Sequence, residues 1–591
     1  MDEGAAGMKV KNIPNLNILW SSLLIEELIR NGVEYFCLSS GSRCAPLALA
    51  VAQNPKAKAF VHFDERAMAF HALGYASATG KPVVIITTSG TAVANVFPAV
   101  IEASKKKLPL IILTADRPPE LRFTGAHQTI DYQPGIFGAF VRWSGDLPCP
   151  AQEISPAFVL TTIDQALRKT GTDVKGPAHL NCAFREPLGT QRTHKDFSAY
   201  LKPLAVWAKS GQPFTRYAAA KPSVESLNEV ADALRGAKSG VIAAGKLGAE
   251  DRKAVVVLSE KLGWPIFPDV TSGLRLSAHH KNIIPHFDQI LLNGKFVKSF
   301  KPDCVIQFGG RMTSKRLGQW LESSPPQSYI MVLNHSLRND PSHQVTHRVQ
   351  ASAKDFVNAI LKNKFKSASS ALINHLRRLN AAVEDRIEQY FNQDSTLNEI
   401  RAVRLISQLV PAVTNLFLGN SMPIRDVEMF AVADRKDVNV TANRGASGID
   451  GNIASAAGYC AGSAKLTTVV IGDLAFLHDL NALSMIKDLS YPVILVVMNN
   501  RGGGIFSFLP VAENNPHFEK FWGTPHDYNF SNAAAQFGLR YASAATTDEF
   551  TSAYCSAVQS GHSMVIEVQS DRQENVKEHR KLQERIKKVL N

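Results

Sequence analysis

Short apolar runs rich in Val, Ile, Leu and Phe alternate with segments of helical periodicity along the chain. In the first third the runs fall at 33–39, 83–88, 110–114 and 178–182, and in the middle at 240–244, 304–308 and 329–333. In the last third they fall at 416–418, 438–441, 467–471, 493–498 and 564–568. Continuous apolar runs, as opposed to alternating ones, mark strands buried on both faces. Strands separated by helices are joined by crossovers, and crossovers build parallel sheets with helices on both sides. Two breaks divide the pattern. Residues 191–223 are polar, proline-bearing and weakly periodic and read as a linker, and 362–396 are rich in Lys, Arg, Asn and Ala and read as a solvated helical connection. The expectation is an α/β fold of three doubly wound parallel-sheet domains, at 1–190, 224–361 and 397–591.

Composition narrows the class. At 591 residues, 45% hydrophobic and 20% charged, the chain is an ordinary globular sequence too long for one core. It has no run of about 18 uncharged apolar residues to span a bilayer, and 1–12 lack the basic and apolar regions of a secretory signal. The seven cysteines (37, 44, 149, 182, 304, 460 and 555) are scattered and never form Cys-x-x-Cys. That pattern argues for reduced thiols in a cytoplasmic protein. The net charge of +13 raises the question of nucleic acid. Between Arg572 and Lys588, however, seven Lys and Arg stand against three Glu, so four excess charges lie in one stretch that reads as a solvated helix. No basic-aromatic interleaving accompanies the rest, and anionic small substrates explain positive charge as well.

The densest chemical signal is Gly472-Asp473-Leu474, followed by 24 residues and then Asn499-Asn500. Asp473 and Asn500 each follow an apolar strand of one strand–helix–strand unit, where open α/β sheets bind ligands. An Asp carboxylate, an Asn amide oxygen and a nearby backbone carbonyl are hard oxygen donors suited to a divalent cation shared with phosphate oxygens. The spacing resembles the Gly-Asp-Gly…Asn-Asn diphosphate motif of thiamine-diphosphate enzymes, with Leu474 at the third glycine. The resemblance implies Mg²⁺ (or Mn²⁺) on Asp473, Asn500 and Gly502. It also implies a diphosphate-binding domain at 397–591, a pyrimidine-binding domain at 1–190 and a Rossmann-like middle domain. The turn 239–248 has the wrong glycine spacing for a dinucleotide fingerprint and reads as structural.

Asp64-Glu65 opens a helix-forming segment, where acids commonly cap. The following Ser-Gly-Thr-Ala-Val-Ala-Asn turn makes Glu65 resemble the glutamate that hydrogen-bonds N1′ of the cofactor's aminopyrimidine. That role predicts a buried Glu65 with a raised pKa. Ile449 resembles the apolar wedge between the cofactor's two rings.

Longer strings narrow the family. These are Gly41-Ser42-Arg43, Thr114-Ala-Asp-Arg-Pro-Pro-Glu-Leu121, Gly419-Asn420-Ser421, Asn443-Arg444-Gly-Ala-Ser-Gly-Ile-Asp-Gly451 and Gly504-Ile-Phe-Ser-Phe-Leu-Pro510. Together they resemble the 2-succinyl-5-enolpyruvyl-6-hydroxy-3-cyclohexene-1-carboxylate synthases of menaquinone biosynthesis. The implied reaction decarboxylates 2-oxoglutarate and joins the remainder to isochorismate by conjugate addition. Both substrates are dicarboxylates, and arginine grips a carboxylate through two bonds. The resemblance assigns substrate contacts to Ser42, Arg43, Arg117, His127, Gln128, Lys315, Arg316, Arg425, Arg444, Phe506 and Leu509. It assigns cofactor contacts to Glu65, Ser421, Ile449, Gly472, Asp473, Leu474, Asn500, Gly502, Ile505 and Phe506. It further implies a homodimer or homotetramer with active sites between subunits. Two departures stand out: Ser40 where the family has proline, and His127 where it has asparagine. The alternative is another thiamine-diphosphate carboligase or 2-oxoacid decarboxylase. Decarboxylases of that kind carry a His-His pair in the first domain, whereas here the pair is His279-His280 in the middle one.

Overall fold

The computed structural model describes residues 13–193, 196–217, 227–277, 280–433 and 437–591, so part of the 191–223 segment and His279 lie outside the described residues. The chain divides into two compact units. Every pairing between neighbouring strands named below is parallel.

The first unit holds β1 (Tyr35–Leu38), β2 (Lys58–Val61), β3 (Val83–Thr87), β4 (Leu110–Asp116), β5 (Trp143–Leu147) and β6 (Ala178–Ala183). Their order is β2-β1-β3-β4-β6-β5. The helix Glu65–Thr79 starts on Asp64, whose carboxylate accepts from Ala67 N at 3.0 Å, and it stops at Gly80. It packs on the helix Asn452–Ser463 of the same unit, where Ser455 Oγ donates to Phe70 O at 3.3 Å. The stretch 198–210 forms short helices whose Trp207 donates to Glu27 at 2.6 Å.

The second unit carries two sheets. One has β7 (Gly240–Ala244), β8 (Ile266–Pro268), β9 (Cys304–Phe308), β10 (Ser328–Leu333) and β11 (His347–Gln350), in the order β11-β10-β9-β7-β8. The other has β12 (Asn415–Leu418), β13 (Asn439–Ala442), β14 (Thr467–Gly472), β15 (Val493–Asn499), β16 (Arg540–Ala544) and β17 (Met564–Gln569). Its order is β13-β12-β14-β15-β17-β16.

All twelve expected strands are present. The five that sequence patterning did not reveal, β2, β5, β8, β11 and β16, are all sheet edges. An edge strand has one open side and need not be continuously apolar: β2 is almost wholly exposed and β5 alternates. β8 is buried but only three residues long, and it ends in Pro268. The expectation of solvated helices is corrected. The C-terminal helix Arg572–Leu590 is not a solvated helix, because Val576, His579, Leu582, Ile586 and Leu590 bury one face at helical spacing. It packs on the helix Ala371–Phe391, so the 362–396 connection is not solvated either: that helix buries Ile373, Leu376, Val383, Ile387 and Tyr390.

Candidate functional site

Each sheet reverses its winding early in its strand sequence, between β1 and β3, β7 and β9, and β12 and β14. Such reversals open crevices at the carboxyl ends of the strands, where α/β proteins bind ligands. In the second unit β14 and β15 pair in register through Gly472 and Met498, so Asp473 and Asn500 emerge just past adjacent strand ends. Asp473 is 2% exposed and begins the helix Asp473–His478. Its Oδ1 accepts from Leu474 N at 2.6 Å and its Oδ2 from Gly502 N at 2.9 Å, and His526 Nε2 lies 3.2 Å from Oδ2. Burial raises its pKa, against the pull of these partners.

Asn500 is 7% exposed. Its Nδ2 donates to Glu399 Oε1 at 2.7 Å, whereas its Oδ1 is buried with no hydrogen-bond partner. A buried amide oxygen left unsatisfied carries a desolvation cost of about 1–3 kcal/mol. A cation on Oδ1 would remove that cost, and the acidic Asp473 beside the Gly502 backbone completes a hard-oxygen donor set, so these residues fit a divalent ion. Gly502 has φ +144°, and a Cβ there would stand 2.2 Å from Gly523 O, so only glycine permits this turn. Among the described residues no group of three or more His, Cys, Asp and Glu is arranged to hold a metal ion by itself.

Ser421 follows β12 across the same reversal and holds φ +72°, a left-handed conformation rare for a residue with a Cβ. Arg425, one turn on, donates to Ser421 O, and burial lowers its pKa. Ile505 is half-buried, and Phe506 and Leu509 present exposed apolar surface just past Gly502. Lys315 opens the helix Lys315–Ser323 and is exposed. Arg316 is engaged by Asp288, so it is tied to an internal partner.

In the first unit, Ser42 and Arg43 follow β1 at the reversal. Gly41 packs on Thr88 after β3, where a Cβ would lie 2.5 Å from the threonine Cβ. Ser42 is exposed. Arg43 is buried, donates to Phe184 O at 3.0 Å, and has its pKa lowered by burial and then by neighbouring Arg117. Arg117 Nε donates to His127 O at 2.6 Å, and Ser89 Oγ to Gln128 O at 2.8 Å. The structure therefore gathers Arg43, Arg117, His127 and Gln128, with the His127 and Gln128 side chains exposed. Glu65 departs from expectation: it is half-exposed, not buried, because it sits at the first turn of its helix with Asn95 Nδ2 donating to it at 3.2 Å. Arg444 is half-buried and Ile449 exposed, on a loop held by Glu102. Glu102 accepts from Gly445 N at 2.8 Å, Ala446 N at 2.6 Å and Ser447 N at 3.3 Å.

Glu399, Glu102, Asn95 and His526 escape sequence reasoning. Asn398-Glu399 reads as a helix cap, and it is one, since Asn398 Oδ1 accepts from Arg401 N at 2.9 Å. No local pattern distinguishes that acid from one that also reaches a strand end about 100 residues away.

Comparison with known proteins identifies the family. The N-terminal TPP binding domain of thiamine pyrophosphate enzymes matches 20–134, their middle domain 198–418 and their C-terminal TPP binding domain 430–568. The X-ray structure of a Mycobacterium smegmatis protein described as thiamin diphosphate-dependent superposes with a TM-score of 0.69 at 16% identity. It covers 93% of this chain and 99% of that one, and shows the same fold. The 2-succinyl-5-enolpyruvyl-6-hydroxy-3-cyclohexene-1-carboxylate synthase of Rubrobacter xylanophilus is 45% identical over 96% of this chain and 98% of its own. The Pelodictyon phaeoclathratiforme enzyme of that name is 44% identical over 98% and 97%. With such identity over nearly its whole length, the chain belongs to the 2-succinyl-5-enolpyruvyl-6-hydroxy-3-cyclohexene-1-carboxylate synthase family of thiamine-diphosphate enzymes.

Proposed function

We propose that this protein is a cytoplasmic transferase that decarboxylates 2-oxoglutarate and adds the remaining four-carbon unit to isochorismate, using thiamine diphosphate and Mg²⁺ or Mn²⁺. The observation that carries the reading is the unpartnered Asn500 Oδ1 beside buried Asp473, at the ends of paired strands β14 and β15. The seven free cysteines suit a reducing compartment. Among the described residues no helix is long and apolar enough to cross a membrane.

Asp473, Asn500 Oδ1 and the Gly502 carbonyl would hold the divalent ion on the diphosphate. Ser421, Ile449, Gly472, Leu474, Ile505 and Phe506 would line the rest of the cofactor. When bound, thiamine diphosphate supplies the carbon nucleophile that 2-oxo acids need for decarboxylation. Glu65 would hold a proton at N1′ of the aminopyrimidine, with Asn95 steadying its carboxylate. Arg43, Arg117, Arg425 and Arg444 would pair with substrate carboxylates, with polar contacts from Ser42, His127 and Gln128. Lys315, exposed at the start of its helix, would do the same work, whereas Arg316 would first have to leave Asp288 or share it. Phe506 and Leu509 would exclude water beside the isochorismate ring. The proposed assembly is a homo-oligomer whose sites draw on two subunits.

The test is CO₂ release from 2-oxoglutarate by the full-length protein with thiamine diphosphate and Mg²⁺, with and without isochorismate, alongside mass-spectrometric detection of the joined product. Product formation that needs both substrates, the cofactor and the metal supports the reading. CO₂ release followed only by aldehyde would favour a simple 2-oxoacid decarboxylase and overturn it.

A further inference from the structure

We propose that Glu399 is a positioning residue for Asn500. Its carboxylate takes the amide Nδ2 and so fixes Oδ1, and not the NH₂ group, toward the metal ion. The inference rests on the reading of Asp473 and Asn500 as metal ligands.

An asparagine side chain is nearly symmetric in shape, but its two ends are opposite in function: one accepts and the other donates. Turned by 180°, Asn500 would offer an NH₂ group to a cation and lose the ligand. Asn500 Nδ2 lies 2.7 Å from Glu399 Oε1, an acceptor that only the NH₂ end can satisfy. The glutamate has little freedom to move. It is 1% exposed, begins the helix Glu399–Leu409 behind the Asn398 cap, and its Oε1 also receives Ser570 Oγ at 3.5 Å. Close packing adds to this, because a Cβ at Gly504 would stand 2.5 Å from Asn500 Nδ2.

Glu399 also interacts repulsively with Asp473. Placing a second buried acid beside Asp473 costs free energy unless something offsets it. Aligning an amide dipole, with its oxygen toward a dication, is such an offset, and groups that orient metal ligands in this way govern metal affinity.

The experiment measures Mn²⁺ binding by electron paramagnetic resonance in the full-length protein with thiamine diphosphate, together with near-ultraviolet circular dichroism to confirm the fold. Glu399→Leu should weaken Mn²⁺ binding about 10–100-fold, whereas Glu399→Gln, whose carbonyl can accept the same proton, should stay within about threefold of wild type. If Glu399→Leu fails to fold, Glu399→Asp withdraws the acceptor by one methylene and should weaken binding in the same direction. Wild-type affinity in the folded variant lacking the acceptor overturns the proposal, as does a Glu399→Gln protein as weak as Glu399→Leu. Asp473→Asn separates the two levels. If it loses Mn²⁺ while Glu399→Leu keeps it, only the role of Glu399 fails. If it binds Mn²⁺ normally, the metal site itself is wrongly assigned.

Discussion

Removing the Glu102 carboxylate should release the loop that carries Arg444 and Ile449. Glu102 lies on the helix Phe97–Lys106, is 3% exposed, and receives three successive amides, from Gly445, Ala446 and Ser447. Successive amides converge on one anion only when the backbone turns into a concave nest, and Ser447 at φ +66° makes that turn. Hydrogen bonds to a charged group contribute about 1.5–3 kcal/mol each. The contacts at 2.8 and 2.6 Å dominate, and the loop is exposed enough for water to replace part of what is lost. About 3 kcal/mol of local stability is therefore at stake, equivalent to roughly 160-fold in the opening equilibrium at 1.36 kcal/mol per decade. Hydrogen exchange read by mass spectrometry on a peptide covering 443–451 measures this directly. Glu102→Ala should accelerate exchange of the three amides by about two decades, with Glu102→Gln in between because its single carbonyl cannot serve all three. The KM for the substrate that Arg444 is proposed to bind should rise in parallel. Exchange in Glu102→Ala within a factor of three of wild type would refute the argument, since the amides would then owe their protection to something else.

Glu65→Gln should bind thiamine diphosphate nearly as wild type by fluorescence titration yet turn over about 10²–10⁴-fold more slowly, the range for losing a general acid–base group; full activity would remove Glu65 from the chemistry. If sites draw on two subunits, co-folding Glu65→Gln with Asp473→Ala should restore about a quarter of wild-type activity, because half the dimers are mixed and each keeps one intact site. A mixture no more active than its components refutes shared sites. Asp479 is fully buried and its pKa is pushed up to about 7 by desolvation, against an unfolded value near 4. Between those values the folded state holds a proton that the unfolded state has lost, so this group lowers stability as pH rises from about 4 to 7 and by a constant amount above. Asp479→Asn should therefore unfold at a higher temperature than wild type at pH 8 but not at pH 4, and a difference independent of pH would refute the assignment.

The fold was largely legible because it is driven by burial. Central strands lie between two helical layers, so β4, β14 and β15, each wholly or almost wholly buried, announce themselves as unbroken apolar runs. The same logic hides the edges. At β16 only the last of five residues is buried, and such a segment is indistinguishable from a loop until its neighbour is known. The amphipathic C-terminal helix misled for a related reason: its seven cations dominate the eye, while the apolar stripe Val576, Leu582, Ile586 and Leu590 is spaced for a helix face.

The site divides along a different line. Residues expected to touch a ligand sit just past strand ends, and their types are dictated by ligand chemistry, so Asp473, Asn500, Arg43 and Arg425 stood out. Residues that hold those groups obey no such rule. Glu102 and Glu399 work through hydrogen bonds spanning more than 300 and about 100 residues, and in sequence each is one more acid in a helix. Their partners explain why the types are nevertheless constrained. Three convergent amides require an acceptor with more than one oxygen, and a primary amide that must keep its oxygen free requires an acceptor at its other end. The half-exposed Glu65 adds the complementary case. Its type is what the proposed contact with the cofactor requires, but burial is a property of surroundings, and no stretch of one chain encodes surroundings that a second subunit would supply. Substitutions at Glu102 and Glu399 should for that reason disturb affinity and loop order while leaving the groups that move protons in place, the opposite of what Glu65→Gln should do.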